Sequence, residues 1–338
     1  MPHGWIILDK PLGLGSTQAV AAVKRVCREA GLGKVKVGHG GTLDPLATGV
    51  RPIALGEATK LAGRMLDASK TYAFTVAFGA ETDTLDLEGK VIATSDVRPT
   101  LAQVEAVLPR FTGLIEQVPP VYSALKVGGQ RAYDLARAGE TVELAVREVT
   151  VHLLTILPGT GRGTAAEGGG GGGGGAPLDA ASGDSPHHHA SRGPPPRAGE
   201  DDITLLAHVS KGTYIRSLAR DFALALGTRG HVTMLRRLKA GPFTEAQAIS
   251  LDKLNAVGKG AALENVLLPL EAGLDDIPAL SLSPEQASMV RQGRVLTGLP
   301  QTNGLYWARF GTCPVALIEV SSGEAKVVRG FNLPDVAE

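Results

Sequence analysis

The alternation of apolar and polar positions predicts several short strands and a few helices. Residues 5–8 are apolar at strand length, and the turn sequence KPLGLGS follows soon after. Ser16 or Thr17 is placed to cap a helix over residues 18–30, which Gly31 ends. Further strands are expected at 72–79, 142–157, 203–209, 305–310, 315–320 and 325–329, and further helices at 101–110, 132–138, 215–226 and 283–292. Hairpins and scattered helices without βαβ repeats favour an α+β fold.

Residues 158–202 differ in composition from the rest of the chain. They contain eight consecutive glycines, Gly168 to Gly175, and almost no large apolar side chains. This composition is typical of a flexible linker or insertion. Because strands are expected directly before and after the segment, the simplest interpretation is one hairpin with an expanded loop, since added loop length costs little. We therefore expect the insert to be disordered and dispensable for folding.

The length of 338 residues allows one large domain or two ordinary ones. A polar, turn-rich stretch precedes residue 277 and closely spaced strands follow it, so we expect domains over residues 1–276 and 277–338. No apolar stretch reaches the ~18 residues of a membrane span, and the N-terminus does not have the pattern of a secretory leader. The prediction is a cytoplasmic protein. Cys27 and Cys313 are too few and too far apart for a disulfide framework.

The formal net charge of zero conceals two basic blocks. Residues 1–70 carry a net charge of +5 and residues 203–240 carry +6, while the remaining segments are acidic. If the two blocks lie on one face, they form a phosphate-binding surface. Solvated helix faces explain the same charges equally well.

The segment GHGGTLDPLATGV places one carboxylate, Asp44, among small residues and directly before a proline. Pro45 favours an extended backbone at Asp44, and the neighbouring glycines allow another chain to approach closely. An acid in such a loop is a candidate nucleophile or general base. The alternative is an Asx-turn without catalytic meaning.

The second basic block contains SKGTYIRSLARD, which places Tyr214 and Arg216 at the start of a predicted helix. Arg216 is either the buried partner of a carboxylate or a surface arginine. Tyr72, in SKTYAFTVAFG, either stacks on a base or fills the sheet. Outside the glycine run no nucleotide-binding, metal-ligand or serine-nucleophile motif is found. Any reaction is therefore expected to use side chains alone, without a cofactor or metal.

Taken together, these segments resemble the bacterial tRNA pseudouridine-55 synthases of the TruB type, over nearly the whole chain outside the insert. The similar blocks are GWIILDKPLGLGSTQAV, which contains Lys10, and GHGGTLDPLATGV, SKTYAFTVAFGAETDTLDLEG, QVPPVYSALKVGGQRAYDLARAG, SKGTYIRSLARD and LRRLKAGPF. The chain has Gly40, Arg51 and Val209 where the family usually has threonine, leucine and often cysteine.

The resemblance implies a pseudouridine-synthase-type fold, with a mixed, largely antiparallel sheet, flanking helices and a small β-rich C-terminal PUA-like domain. It also implies that Asp44 is the nucleophile, that Arg216 pairs with it and that Tyr72 stacks on the uracil. The substrate would be the T-arm of tRNA, bound by a monomer without an obligate protein partner. The residues implied in substrate binding are Lys10, His39, Tyr72, Tyr214 and Leu235.

The implied reaction detaches uracil from its ribose, rotates it and rejoins it through C5. Because the target base is stacked in a folded loop, it must first be flipped out, and His39 is the candidate to fill the vacated stack. Asp44 would attack the sugar C1′ or the pyrimidine C6, or begin by taking a ribose proton. A non-catalytic tRNA-binding or RNA-folding protein on the same scaffold is the alternative.

Overall fold

A computed structural model describes residues 1–157 and 202–333. The predicted insert therefore lies outside the described residues, with the exception of Asp202. The strands, in chain order, are β1 (Gly4–Lys10), β2 (Val37–His39), β3 (Ala47–Leu55), β4 (Lys70–Phe78), β5 (Ala80–Thr82), β6 (Val91–Thr94), β7 (Gly113–Gln117), β8 (Lys126–Val127), β9 (Gln130–Arg131), β10 (Arg147–Ile156), β11 (Asp202–Val209), β12 (Gly230–Ala240), β13 (Phe243–Thr244), β14 (Ala279–Ser281), β15 (Gly304–Phe310), β16 (Cys313–Ser321) and β17 (Glu324–Gly330).

The helices lie between these strands and at the faces of the sheets. In chain order they are α1 (Ser16–Glu29), α2 (Ala62–Asp67), α3 (Leu101–Val107), α4 (Ala132–Arg137), α5 (Ile215–Ala225), α6 (Leu251–Gly258) and α7 (Pro284–Arg291). Within the described ranges, none of the helices has both the length and the apolar character needed to cross a bilayer.

The main sheet has the strand order β1-β3-β12-β4-β11-β10-β7, with β2 on the side of β3 and β13 on the side of β12. Every pair is antiparallel except β3 and β12, which run parallel with Leu235 opposite Ala47. The predicted α+β fold with a largely antiparallel sheet is confirmed. The parallel pair brings two segments that are distant in sequence side by side within the sheet.

The expected hairpin around the insert is present. Strands β10 and β11 pair antiparallel, with Ile156 opposite Leu205, so the insert connects two neighbouring strands. The first of these strands was expected to begin at residue 142, and it begins at Arg147. Its neighbour β7 ends at Gln117, which pairs with Arg147, so residues 142–146 extend past the end of the ladder.

The expected N-cap of α1 is wrong. The helix begins at Ser16 and its N-cap is Gly15, whose backbone N–H donates to the side chain of Gln18 at 2.7 Å. Ser16 uses its hydroxyl elsewhere. It donates to the carbonyl of Leu43 at 2.8 Å and accepts from the N–H of Leu43 at 3.0 Å. Tertiary contact with a distant loop therefore takes the place of local capping.

The C-terminal strands form a separate four-stranded sheet, in the order β14-β15-β16-β17, which begins at Ala279. Helix α7 packs on this sheet and is capped by Ser283, which accepts from the N–H of Gln286 at 3.2 Å. The division at residue 277 stays a prediction. An apolar cluster joins the two sheets across it, and its members include Trp5, Phe243, Ile277, Leu317 and Phe331.

Candidate active site

The loop between β2 and β3 carries Asp44 and is held along its length by the rest of the fold. Its five consecutive carbonyls, from Gly41 to Pro45, each accept a hydrogen bond. The donors are Arg51 Nη1 to Gly41 (3.1 Å), Arg237 Nη1 to Thr42 (3.4 Å), Ser16 Oγ to Leu43 (2.8 Å), Ala47 N to Asp44 (3.0 Å) and Lys10 Nζ to Pro45 (2.9 Å). Asp44 therefore projects from a backbone fixed by contacts to β1, α1, β3 and β12.

Asp44 and Arg216 form an ion pair, with Oδ2 of the aspartate 2.9 Å from Nε of the arginine. The Nε–H is not aligned on the oxygen as a hydrogen bond requires, so the contact is electrostatic. The side chain of Asp44 is 39% exposed, while that of Arg216 is 6% exposed. The interpretation of Arg216 as a surface arginine is therefore wrong, and its expected pairing with Asp44 is confirmed.

The position of Arg216 follows from the packing of α5. Leu218 and Phe222 on the same helix are buried in the core beneath the sheet, which fixes the first turn of the helix. The guanidinium donates to two carbonyls, from Nη1 to Thr84 at 2.7 Å and from Nη2 to Tyr122 at 3.0 Å. These bonds restrain the plane of the guanidinium and leave its Nε edge toward Asp44.

A second carboxylate, Asp86, lies on the other side of the same guanidinium and was not singled out from the sequence. Its Oδ2 is 3.5 Å from Nη1 of Arg216. Its Oδ1 accepts from Thr84 Oγ1 at 2.6 Å and from the N–H of Glu88 at 3.0 Å. The only feature of the sequence that points to Asp86 is its place as an acid in a turn of short polar residues. Its position beside Arg216 depends on the turn after β5, because this turn makes a β-bridge to β12 between Asp86 and Val232.

The two carboxylates and the arginine line one open pocket, together with residues of β12. The full lining is Asp44, Leu46, Ala47, Asp86, Arg216, Val232, Thr233, Met234 and Leu235. The sequence placed Leu235 in the uridine pocket, and it lies in this lining. Within the ranges that the structure describes, no cluster of three or more His, Cys, Asp and Glu side chains is arranged to hold a metal.

Tyr214 is the N-cap residue of α5 and is held by its backbone. Its N–H donates to Gln117 Oε1 at 2.8 Å, and its carbonyl accepts from Gln117 Nε2 at 3.1 Å. Burial raises the pKa of the Tyr214 phenol, so the hydroxyl stays protonated and can donate a hydrogen bond. Gln117 is buried at the end of β7 and was also missed from the sequence.

Tyr72 lies on β4, with Arg237 opposite it on β12 and Ala207 opposite it on β11. It is partly buried and packs against the core cluster that contains Leu43 and Leu235. The packing interpretation therefore describes its position in the fold. Stacking on a flipped base stays a prediction.

His39 is the last residue of β2, where it pairs with Ile53 of β3. Burial, together with the nearby positive charge of Arg51, lowers the pKa of His39. The imidazole is therefore expected to be neutral at physiological pH, as a ring that enters a base stack should be. Its role in the vacated stack stays a prediction.

The expected direct contact between Lys10 and the substrate is not supported. Lys10 has a relative exposure of 0%, and its ammonium donates to the carbonyls of Pro11 and Pro45. Burial and the neighbouring Arg51 lower the pKa of Lys10 to about 8. The side chain holds the loop after Asp44 in place from within the protein.

The second basic block contributes much less free charge than its sequence suggests. Six of its seven cations make ion pairs or hydrogen bonds within the protein, which reduces the positive charge that this block can offer to a phosphate. The contacts are Lys211 to Asp67, Arg216 to Asp44, Arg220 to Asp221, Arg229 to Glu81, Arg236 to Asp9 and Glu245, and the buried Arg237 to the carbonyl of Val50. The expected phosphate-binding surface stays a prediction.

Comparisons with solved structures show the fold class. The chain superimposes on a protein in the "Structure of H/ACA RNP bound to a substrate RNA containing 2'-deoxyuridine" with a TM-score of 0.66 and 22% identity, over 98% of this chain and 85% of that one. A chain of the archaeal box H/ACA sRNP Nop10-Cbf5 complex gives a TM-score of 0.63 at 22% identity, over 98% and 86%. The chain therefore shares the fold of these two proteins over nearly its whole length.

The sequence narrows the class to one family. Residues 28–165 match the N-terminal domain of the TruB family pseudouridylate synthases, and residues 216–275 match the tRNA pseudouridylate synthase B C-terminal domain. The chain is 68% identical to the tRNA pseudouridine synthase B of Novosphingobium aromaticivorans over the whole of both proteins, and 56% identical to that of Zymomonas mobilis over 98% and 96%. The chain belongs to the TruB family and is an enzyme of the pseudouridine synthase class.

Proposed function

We propose that this protein converts a uridine in the T-loop of tRNA, at position 55, to pseudouridine. The observation that carries the proposal is the ion pair between Asp44 and Arg216 in an open pocket beside Leu235. A partly exposed carboxylate on a fixed loop is available to a substrate, and its buried guanidinium partner places a positive charge beside it. The relatives named tRNA pseudouridine synthase B support tRNA as the substrate.

In the proposed reaction the C1′–N1 bond of the uridine breaks and a C1′–C5 bond forms. The proton on C5 is lost and N1 gains one, so the product is an isomer of the substrate. Asp44 acts on C1′, on C6 or on a ribose proton, and each route needs the carboxylate to be ionised. Arg216 supplies the neighbouring positive charge without leaving its carbonyl partners.

The pocket is also suited to receive a flipped base. Leu235 and Ala47 provide apolar contacts, and Tyr72 lies on a strand next to that of Leu235. A base that leaves its stack loses a few kcal/mol of stacking and pairing, which contacts in the pocket must offset. Neutral His39 would stack in the space that the base leaves behind.

The finer properties follow as part of the same proposal. The RNA element recognised is the T-arm, the active species is a monomer and the compartment is the cytoplasm. Because the second basic block is largely paired internally, recognition is expected to depend on the shape of the folded loop more than on a dense cluster of cations.

The test is the conversion of uridine by purified protein and by its Asp44→Asn variant. Unmodified tRNA with a tritium label at C5 of its uridines is incubated with each protein, and the released tritium is counted. Mass-spectrometric mapping of the product then locates the modified uridine. The expected result is release from one T-loop uridine by the wild type and none by Asp44→Asn, with tRNA affinity nearly unchanged.

Asp67→Asn provides the matched control, because Asp67 is an exposed aspartate that pairs with Lys211 outside the pocket. It should release tritium at the rate of the wild type. Turnover by Asp44→Asn would refute the assignment of the catalytic group. Binding without release by the wild type would favour the non-catalytic RNA-binding alternative.

A further inference from the structure

Arg51 is a buried arginine for which the described residues provide no carboxylate within ion-pair distance. It lies on β3 with a relative exposure of 0%, and its Nε is buried without a hydrogen-bond partner. Burial and the positive charge of Arg237 lower the pKa of Arg51 to about 9. A buried charge without a counter-charge is costly, and an apolar side chain of similar size would avoid that cost. The presence of an arginine at this buried position therefore requires an explanation.

The contacts of the guanidinium provide one. Nη1 donates to the carbonyl of Gly41 at 3.1 Å, and Nη2 points to the carbonyl of Ser16 at 3.4 Å. Gly41 lies three residues before Asp44, and Ser16 is the first residue of α1. The guanidinium therefore bridges the start of the Asp44 loop and the start of a helix packed on the sheet.

The loop needs such a bridge at this point because regular backbone pairing stops there. The ladder between β2 and β3 ends with His39 opposite Ile53. Arg51 lies two residues from Ile53 on β3, and its side chain reaches the chain where the ladder no longer does. At this point the guanidinium of Arg51 donates to Gly41 the hydrogen bond that a paired strand would otherwise supply.

The two residues after His39 are both glycines, at positions where a side chain is not accommodated. Gly41 has a φ of +97°, which favours glycine. Gly40 packs so closely against α2 that a Cβ there would overlap Met65 and the carbonyl of Ala62. Both positions thus require glycine, and two consecutive glycines give the backbone its greatest freedom. An external contact is needed to select one conformation.

We propose that Arg51 is a positioning residue, which fixes the start of the Asp44 loop and so keeps the aspartate carboxylate in place beside Arg216. Arg51 is too deeply buried to contact the RNA, so its effect passes through the backbone of Gly41. The inference rests on the proposed function only for its readout, which is the rate of uridine conversion.

The test compares Arg51→Met, which keeps the length and apolar character of the stem without a donor, with Arg51→Lys, which restores one donor. The rate is measured in a single turnover at saturating enzyme, and the affinity for a T-arm RNA is measured separately by filter binding. We expect Arg51→Met to lower the rate by about 10- to 100-fold, because a small misplacement of a reacting group has effects of this size. Affinity should change less than about twofold, and Arg51→Lys should recover most of the rate.

Thr75→Val is the control for a loss of stability alone. Thr75 is buried on β4 and its hydroxyl contacts that of Thr204 at 2.8 Å, away from the Asp44 loop. It should lower the melting temperature while the single-turnover rate stays unchanged. An Arg51→Met protein that is folded and reacts at the wild-type rate overturns the proposal, as does an equal loss in Arg51→Met and Arg51→Lys.

If Arg51→Met does not fold, Arg51→Lys carries the test by itself. Because Arg51→Lys keeps only one of the two contacts, hydrogen–deuterium exchange over residues 40–46 should then be somewhat faster than in the wild type, with no change in β10 and β11. A lower rate of conversion with unchanged exchange over residues 40–46 overturns the proposal. These outcomes are distinct from a failure of the proposed function, in which the wild-type protein itself would not convert uridine.

Discussion

Ser16 and Leu43 form a reciprocal pair of hydrogen bonds between the first residue of α1 and the residue before Asp44. One hydroxyl thus satisfies both backbone groups of Leu43, at 2.8 Å and 3.0 Å. The contact explains why a serine at the start of a helix is not used as its cap. It also couples the position of α1 to that of Asp44.

Substitution Ser16→Ala should therefore affect both stability and turnover. It leaves the N–H and the carbonyl of Leu43 without these partners, at a cost of about 1–2 kcal/mol in the free energy of unfolding. The rate of uridine conversion should also fall, because Asp44 follows Leu43 in the same loop. Urea denaturation and single-turnover kinetics measure the two effects. The neighbouring exposed Thr17→Ala is the control and should change the free energy of unfolding by less than about 0.5 kcal/mol. Equal behaviour of the two variants would contradict the coupling.

Asp86→Asn should lower the rate of uridine conversion about tenfold, although Asp44 itself is unchanged. The amide can still accept from Thr84 and from the N–H of Glu88, but it no longer carries the negative charge that faces Nη1 of Arg216. The guanidinium is then balanced by Asp44 alone and is oriented less strictly. Asp83→Asn, three residues earlier in the same turn, is the control, and a normal rate in Asp86→Asn would show that Asp86 only supports the turn.

The buried Lys10 predicts an unusual pH dependence of stability. Its pKa is lowered from 10.5 to about 8 in the folded protein, so between these values the unfolded chain binds more protons than the folded one. Stability from this group must therefore rise as pH increases from about 8 to about 10.5. Relative to Lys10→Met, the free energy of unfolding of the wild type should increase by up to about 3 kcal/mol over this range.

Denaturant titrations of both proteins at several pH values measure that difference. Lys24→Met, at an exposed position of α1, controls for the change in net charge. A difference between wild type and Lys10→Met that stays constant with pH would show that the ammonium remains charged in the fold.

The insert is predicted to be dispensable, because β10 and β11 pair directly on either side of it. The N–H of Leu157 donates to the carbonyl of Thr204 at 2.9 Å, so the ends of the hairpin are already close. Joining Leu157 to Asp202 through Asn-Gly should leave the free energy of unfolding equal or higher, by up to about 2 kcal/mol. Urea denaturation and tritium release measure folding and activity. Replacement of the insert by Gly-Ser repeats of equal length is the control, and loss of the fold or of turnover in either variant would assign the segment a role.

Local pattern was sufficient to predict much of the fold. Helix α5 and three of the four strands of the C-terminal sheet were placed within one or two residues, because side-chain periodicity depends on neighbours in sequence. The short strand β14 was not predicted. The motif around Asp44 also stood out, since a proline after the acid and glycines before it restrict the backbone locally. Departures occurred where tertiary context overrode a local preference: Ser16 bonds to the distant Leu43, and residues 142–146 extend past the end of β7 and have no strand of the described residues beside them to pair with.

The sequence by itself determined which residues are chemically capable of the reaction and which elements carry them. It did not show that Asp86 and Asp44 face the same arginine, that Gln117 holds Tyr214, or that Lys10 and Arg51 are buried. Those relationships depend on the parallel pairing of β3 with β12 and on the packing of α1 and α5 against the sheet. Such contacts join residues far apart in the chain, so only the tertiary structure brings their charges and hydrogen-bonding groups within reach of one another.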